Sequence, residues 1–398
     1  MGIGNLLENA SGTSVVKKYE LLNGDKVIAT FSIVGSGALE SVTDTHILGE
    51  LPFWLTDISE WLHNRSAAKH RSFVKDLLSK LSADTRSGFI DLTNCLSLQD
   101  TLWVRLENSN LTWDAVNLFN NDFSEVMTHL AFDGTGLYGM QIRTTSPELT
   151  TDGAYDKCWV RRDGDTVLLK AGSTGARNTG LEPYCEALAS QFYNEFCKSV
   201  VYGIETYRGK VVSSCKSFVR DTFGYKPISL WLANTELNTV LSTIEKNGCD
   251  VNEFRRMIVA DSVMVNSDRH FGNFGFLVDN RDYHVIGLAP AFDYNMALSP
   301  YAEFGVDFPI YDEYLRMRGP MFGGTYEDLA KILLSSDMKA DLINLKDLEL
   351  VLPDWCYEEH KYQFTHERTA ILNEVKNVMI DRILGNKRQF SFVKEEVK

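Results

Sequence analysis

Two short segments hold the side chains best suited to chemistry. The first runs Asn266-Ser267-Asp268-Arg269-His270-Phe271-Gly272-Asn273, and the second runs Ala291-Phe292-Asp293-Tyr294-Asn295. An acid, an amide in the same loop and a second acid further on form the donor set that phosphoryl transfer from ATP requires. One carboxylate receives or orients the attacking hydroxyl. An amide oxygen and another carboxylate hold the Mg²⁺ ions that neutralise phosphate charge. In that scheme Asp268 takes the first role, and Asn273 and Asp293 are the metal ligands. The plainer reading makes Asp268 and Asp293 loop caps and His270 a satisfied core histidine. Either segment alone fits that reading. The two together, with a hairpin pattern between them, argue for chemistry.

The elements that must position these residues are legible nearby. Asp250 followed by Glu253 is a capping-box signal, and Phe254, Met257, Ile258, Met264 and Val265 recur at roughly helical spacing. Asp268 therefore belongs to a loop after a buried helix. Phe274 to Val278 reads as a strand, Asp279 to Asp282 as a turn and Tyr283 to Ala289 as the return strand. Such a hairpin brings Asn273 and Asp293 to one end of a sheet. Upstream, Lys170 ends the apolar run Val167-Leu168-Leu169, so its stem can lie along a strand while its ammonium reaches phosphates. An acidic partner on the next helix would hold it there. Glu182, which opens a helical pattern through Leu188 and Phe196, is the expected partner, with Glu186 one turn on as the competitor.

At these residues the chain resembles the HipA-like serine/threonine kinases, whose catalytic segment runs D-x-H-x-x-N and whose metal Asp follows a short hairpin. Thr150-Thr151-Asp152-Gly153-Ala154-Tyr155-Asp156-Lys157 is similar to the family's phosphate loop, a Ser/Thr followed by G-A-x-x-K. Val167 to Lys170 resembles its I-L-K strand, and Leu181 to Ala189 its E-Y-x-x-x-x-L-A helix. The clear match covers about residues 140 to 300. The resemblance implies ATP and Mg²⁺ as cofactors, with Asp268, Lys170 and Glu182 in catalytic roles. It implies nucleotide contacts from Thr151, Gly153, Ala154, Lys157 and Lys170, with His270 counted among them. Thr150 occupies the position where some relatives carry an autophosphorylated loop Ser, so Thr150 and Thr151 are candidate autophosphorylation sites. Val211 to Phe218 lies where the hinge between two kinase lobes falls, so backbone around Cys215 and Ser217 would meet the adenine edge. The implied substrate is a protein carrying a Ser/Thr hydroxyl, and relatives pair with small DNA-binding antitoxin proteins. Phosphoinositide kinases carry a similar D-R-H-x-x-N segment, so a lipid or small-molecule kinase is one alternative. A catalytically silent nucleotide-binding interaction module is another.

Gly172-Ser173-Thr174-Gly175-Ala176-Arg177-Asn178-Thr179-Gly180 lacks the G-K-S/T ending of a Walker loop, so it reads as a flexible connector. Met296 to Phe308 corresponds in order to an activation segment, apolar and short of basic residues.

At 398 residues more than one packed unit is expected. A net charge of −14 opposes direct nucleic-acid binding, which wants a basic surface. Seven scattered cysteines without C-x-x-C suggest free thiols in a reducing compartment. No apolar run reaches membrane-span length and Met1 to Asn5 lacks a signal-peptide start, so no membrane contact and a cytoplasmic location are expected. Asn23-Gly24 between apolar runs is a hairpin signal. Residues 66–82 read as a helix, with a basic face starting at Arg65. Aromatics between 92 and 130, Trp103 and Trp113 among them, read as core. Phe390 to Lys398 reads as a loose charged tail. The organisation is then an appended region over 1–135, a β-rich N-lobe over 136–220 and a helical C-lobe over 221–398. The fold class is α+β, two-lobed and protein-kinase-like.

Overall fold

The Asn23-Gly24 signal becomes a tight hairpin. In the computed structural model, β1 (Val15–Asn23) and β2 (Lys26–Gly35) pair antiparallel down to Asn23 opposite Lys26. Gly24 turns the chain at φ +55°, where a Cβ is disfavoured. β3 (Ser41–Ile47) and β4 (Leu102–Leu106) complete a sheet in the order β3-β2-β1-β4. Tyr19, Leu21, Phe31 and Ile33 alternate onto one face, where α1 (Ile58–Arg65) and α2 (Arg86–Thr93) cover them. Arg65 is not the start of an exposed basic face. It is buried in an ion pair with Asp100 at 2.5 Å. Of the aromatics expected as core, Trp103 is fully buried while Trp113 is half-buried. The chain divides into one compact unit over 1–154 with 280–282 and another over 155–279 with 283–398. The structure describes residues 15–65, 85–125, 128, 129, 132, 147, 156–175, 179–358 and 364–393. The helix expected over 66–82 lies outside them.

The second unit begins with β5 (Lys157–Arg162) and β6 (Asp165–Ala171), joined at Asp163-Gly164. β7 (Tyr202–Tyr207) and β8 (Lys210–Lys216) are joined at Arg208-Gly209. All four turn residues have positive φ, the mirror-image turn whose twist suits a hairpin. The sheet order is β5-β6-β8-β7, and α3 (Glu182–Phe196) packs on it.

A smaller sheet follows in the order β11-β10-β9, from β9 (Phe223–Pro227), β10 (Gly275–Asp279) and β11 (Val285–Leu288). The expected hairpin is present with a shorter return strand, and β9 adds a third strand. The rest is mainly helical: α4 (Leu237–Lys246), α5 (Val251–Val263), α6 (Tyr311–Met317), α7 (Tyr326–Leu333), α8 (Ser336–Asn344) and α9 (His366–Ile383). Asp250 caps α5 by accepting the Asn252 N–H at 2.8 Å. Thr325, Ser335 and Thr365 cap α7, α8 and α9 in the same manner, satisfying N–H groups that the helix cannot. Helices α5, α7 and α9 pack together. Their core extends to Phe390, so the last segment is anchored there rather than loose from its first residue. No helix among the described residues is long and apolar enough to cross a membrane.

Candidate active site

The site is built where β6, α3, the loop after α5 and the segment after β11 meet. On β6, Val167, Leu169 and Ala171 point to one face, and Lys170 points to the other. Lys170 lies opposite Lys157 on β5 and opposite Ser213 on β8, so these three form a row across the sheet. The buried Lys170 ammonium donates to Glu186 Oε1 and to Asp293 Oδ1, each at 2.7 Å. Its charge also lies 5.5 Å from the Tyr202 ring centroid. The helix carboxylate at Lys170 is therefore that of Glu186, one turn beyond Glu182. Glu182 instead accepts from Ser173 N–H at 3.1 Å and from Tyr301 O–H at 2.6 Å.

Glu186 is fully buried and saturated. It also accepts from the Ser213 hydroxyl and, at 3.1 Å, from the Tyr294 N–H. Burial pushes its carboxyl above the ordinary value, with Asp293 adding to that and Lys170 and Ser213 opposing. Burial alone would raise Asp293 too. There the Lys170 ammonium wins, aided by Lys157 and Arg269, and the carboxyl is held low. Burial would lower Lys170, but the two carboxylates overcome it and hold the ammonium charged. Asp293 sits at φ +64°, a conformation that non-glycine residues adopt rarely and keep only when the surroundings impose it.

The loop after α5 is held by a buried acid. Asp261, in the last turn of α5, accepts both Nε (2.9 Å) and a terminal nitrogen (3.0 Å) of Arg269. It also accepts from Asn266 Nδ2 at 2.9 Å and Tyr193 O–H at 2.5 Å. The other end of the Arg269 fork reaches the carbonyls of Asn273 at 2.9 Å and Phe292 at 2.7 Å. One guanidinium thus ties the Asp268 loop to the residue before Asp293. The sequence reading passed over Arg269 and Asp261. A charged residue on the apolar face of a helix pattern was the available signal, since a buried charge needs a partner.

Asp268 stands open to solvent on this loop, while the Asn273 side chain donates to its carbonyl at 3.2 Å. Partial loss of water, then the charge of Asp293, raises the Asp268 carboxyl above its ordinary value. His270 is exposed, and its Nδ1 accepts the Gly272 N–H at 3.0 Å, so that nitrogen closes the turn. Cys215 is buried and its thiol is pushed up to about 12 by burial. Ser217 N–H is committed to the Thr166 carbonyl at 2.8 Å. Both line an open cavity of about 690 Å³, together with Val167, Val200, Phe218 and Pro290. Lys170, Asp268, Asn273 and Asp293 are not in its lining. Thr150, Thr151, Gly153 and Ala154 lie outside the described residues.

Two of the expected site residues carry oxygen donors. Asp293 and Asn273 offer a carboxylate and an amide oxygen, hard donors that suit magnesium, and no soft ligand stands beside them in the loop.

No family model matches the chain. Among curated proteins it is similar to the serine/threonine-protein kinase CtkA of Helicobacter pylori, 33% identical over 122 residues. That alignment covers 25% of this chain and 34% of the relative, so the chain spans about a third of the relative's length. Among solved structures, the H. pylori proinflammatory kinase CtkA matches at 20% identity and a TM-score of 0.42, over 57% of this chain and 89% of that one. HipA of Shewanella oneidensis, solved with HipB and operator DNA, matches at 10% identity and a TM-score of 0.48, over 92% and 98%.

Proposed function

We propose that the protein is a HipA-like, Mg-ATP-dependent phosphotransferase that phosphorylates Ser/Thr hydroxyls on protein. The observation that carries this reading is the Lys170 ammonium held 2.7 Å from both Glu186 and Asp293. Phosphoryl transfer asks mostly for positioning and charge neutralisation, and this arrangement supplies both. Glu186 keeps Lys170 aimed, and Lys170 offers its charge to nucleotide phosphates. Lys157 lies opposite Lys170 in register, so it adds a second positive charge on the same face of the sheet. Asp293 and Asn273 are the residues that would hold magnesium, which when bound neutralises phosphate charge. Asp268 faces solvent, where an incoming hydroxyl can reach its carboxylate. The cavity lined by Cys215 and Ser217 is where the base would be held.

Autophosphorylation at Thr150 or Thr151 and a small antitoxin-like partner enter this proposal from the family resemblance alone. The test is incubation with Mg-ATP, alone and with a cell lysate or lipid vesicles, followed by mapping of phosphorylated groups. Phosphate on protein Ser or Thr, lost in Asp268→Ala and Asp293→Ala variants that keep their folded circular-dichroism spectrum, is the expected result. Full transfer by either variant would remove the assigned roles. Labelled lipid without labelled protein would favour the lipid-kinase alternative.

A further inference from the structure

Glu182 does not reach Lys170, and its surroundings give it another task. It is buried in the first turn of α3. Its Oε1 accepts from both the Ser173 N–H and the Tyr301 hydroxyl, and Ser173 Oγ lies 3.4 Å from that hydroxyl. Ser173 comes soon after β6, which carries Lys170. Tyr301 comes soon after Asp293 in the chain. One carboxylate oxygen therefore joins the stretches that follow the two partners of the central ion pair.

Both stretches are shaped to reach it. A Cβ on Gly172 would lie 2.5 Å from Gly180 Cα and 2.8 Å from Glu182 Oε2, so the absent side chain makes room for the carboxylate. That second oxygen is buried and has no hydrogen-bond partner among the described residues, so Oε1 carries the bonds that fix the residue. On the other side, Leu298 and Ser299 both have positive φ, at 55° and 50°. Consecutive non-glycine residues there are strained and must be held. The hold comes from buried Arg368, which donates to the carbonyls of Ser299 (3.2 Å), Pro300 (3.0 Å) and Ala302 (3.1 Å). The Ser299 hydroxyl adds a bond to Tyr311 O–H at 2.9 Å. Tyr301 thus projects from a turn fixed on its far side.

We propose that Glu182 and Tyr301 form a latch, acting as positioning residues that lock the end of β6 to the segment after Asp293. The latch keeps Lys170 and Asp293 at their spacing while nucleotide and hydroxyl substrate enter. Its effect on turnover rests on the kinase reading above, whereas the latch itself does not.

Amide hydrogen exchange of the nucleotide-free protein tests the latch directly. Tyr301→Phe removes one hydroxyl and leaves the ring. It should speed exchange at the Ser173 amide roughly tenfold, as loss of a bond holding its acceptor implies. Glu182→Ala and Gly172→Ala should do the same, while Glu182→Gln keeps an acceptor oxygen and should stay near wild type. With Mg-ATP and a protein acceptor, Tyr301→Phe should lower kcat and kcat/KM together by roughly tenfold with KM unchanged, the pattern of an interaction needed in the transition state. Wild-type exchange at Ser173 in Tyr301→Phe overturns the latch, even if Glu182→Ala fails to fold. Faster exchange with unchanged turnover overturns the positioning role. Altered exchange in a protein whose wild type transfers no phosphate leaves the latch standing and removes the kinase reading.

Discussion

Replacing Glu186 separates the two helix carboxylates by their consequences. Its side chain accepts from Lys170 Nζ, the Ser213 hydroxyl and the Tyr294 N–H, all buried or nearly so. Glu186→Ala leaves Lys170 with Asp293 alone. Removing one partner from a buried ion pair costs ~3–5 kcal/mol. A hydroxyl and an N–H stranded without acceptors cost ~1–3 kcal/mol each when taken singly. These terms share one site and do not add. Burial also already opposes ionisation of Glu186, so removing it relieves part of the desolvation penalty. The expected loss is therefore ~3–5 kcal/mol, a large share of the ~5–15 kcal/mol that holds a typical domain. Glu182→Ala loses two bonds to a carboxylate and no ion pair, so about 2–3 kcal/mol is expected. Urea unfolding at matched m-values ranks the two. Phosphotransfer is then compared in the gentler pair Glu186→Gln and Glu182→Gln. Glu186→Gln should lose about 10²-fold, the penalty for a misplaced catalytic cation, while Glu182→Gln stays near wild type. If Glu182→Gln loses more than Glu186→Gln, the pairing of Lys170 with Glu186 is wrong.

Three further outcomes follow from the charges around Lys170. Asp293 is held below its ordinary value of 3.8, so its ionised form contributes stability above that pH and loses it as pH falls through the folded value. The stability deficit of Asp293→Asn should be full at pH 7 and shrink below about pH 4, and a deficit that stays constant through acid would contradict the ion pair. Asp268 should titrate above 3.8 when its carboxyl carbon is followed by NMR in nucleotide-free protein, and should move back toward that value in Asp293→Asn; no movement would mean the two carboxyls do not interact. Arg269→Ala should cost ~3–5 kcal/mol, and Arg269→Lys should fail to restore phosphotransfer because an ammonium cannot fork between Asp261 and two carbonyls. Wild-type turnover in the Lys variant would show that the loop does not need the fork.

The Asp268 loop and the hairpin after it were legible because their signals are local. Asp268 and Asn273 share one turn, and β10 and β11 are close in sequence with turn residues between them. Two other hairpins, at Asp163-Gly164 and Arg208-Gly209, carried comparable turn residues and went unread. The short aromatic run that becomes β9 gave too little pattern to separate it from loop. His270 is exposed rather than a core histidine, and its Nδ1 accepts an N–H two residues on.

The choice between Glu182 and Glu186 could not be made from periodicity. Residues four apart lie on one face of a helix, so each presents its carboxylate in the same general direction. What selects Glu186 is the register of β6 against β8, which sets Ser213 opposite Lys170 and supplies a second donor to the same carboxylate. That register comes from strands separated by the whole of α3, and no local pattern encodes it. The same non-local packing brings Tyr301 to Glu182, more than a hundred residues away in the chain. A four-residue ambiguity in one helix thus separates two tasks: Glu186 aims the ammonium, and Glu182 ties together the stretches that follow its strand and its partner.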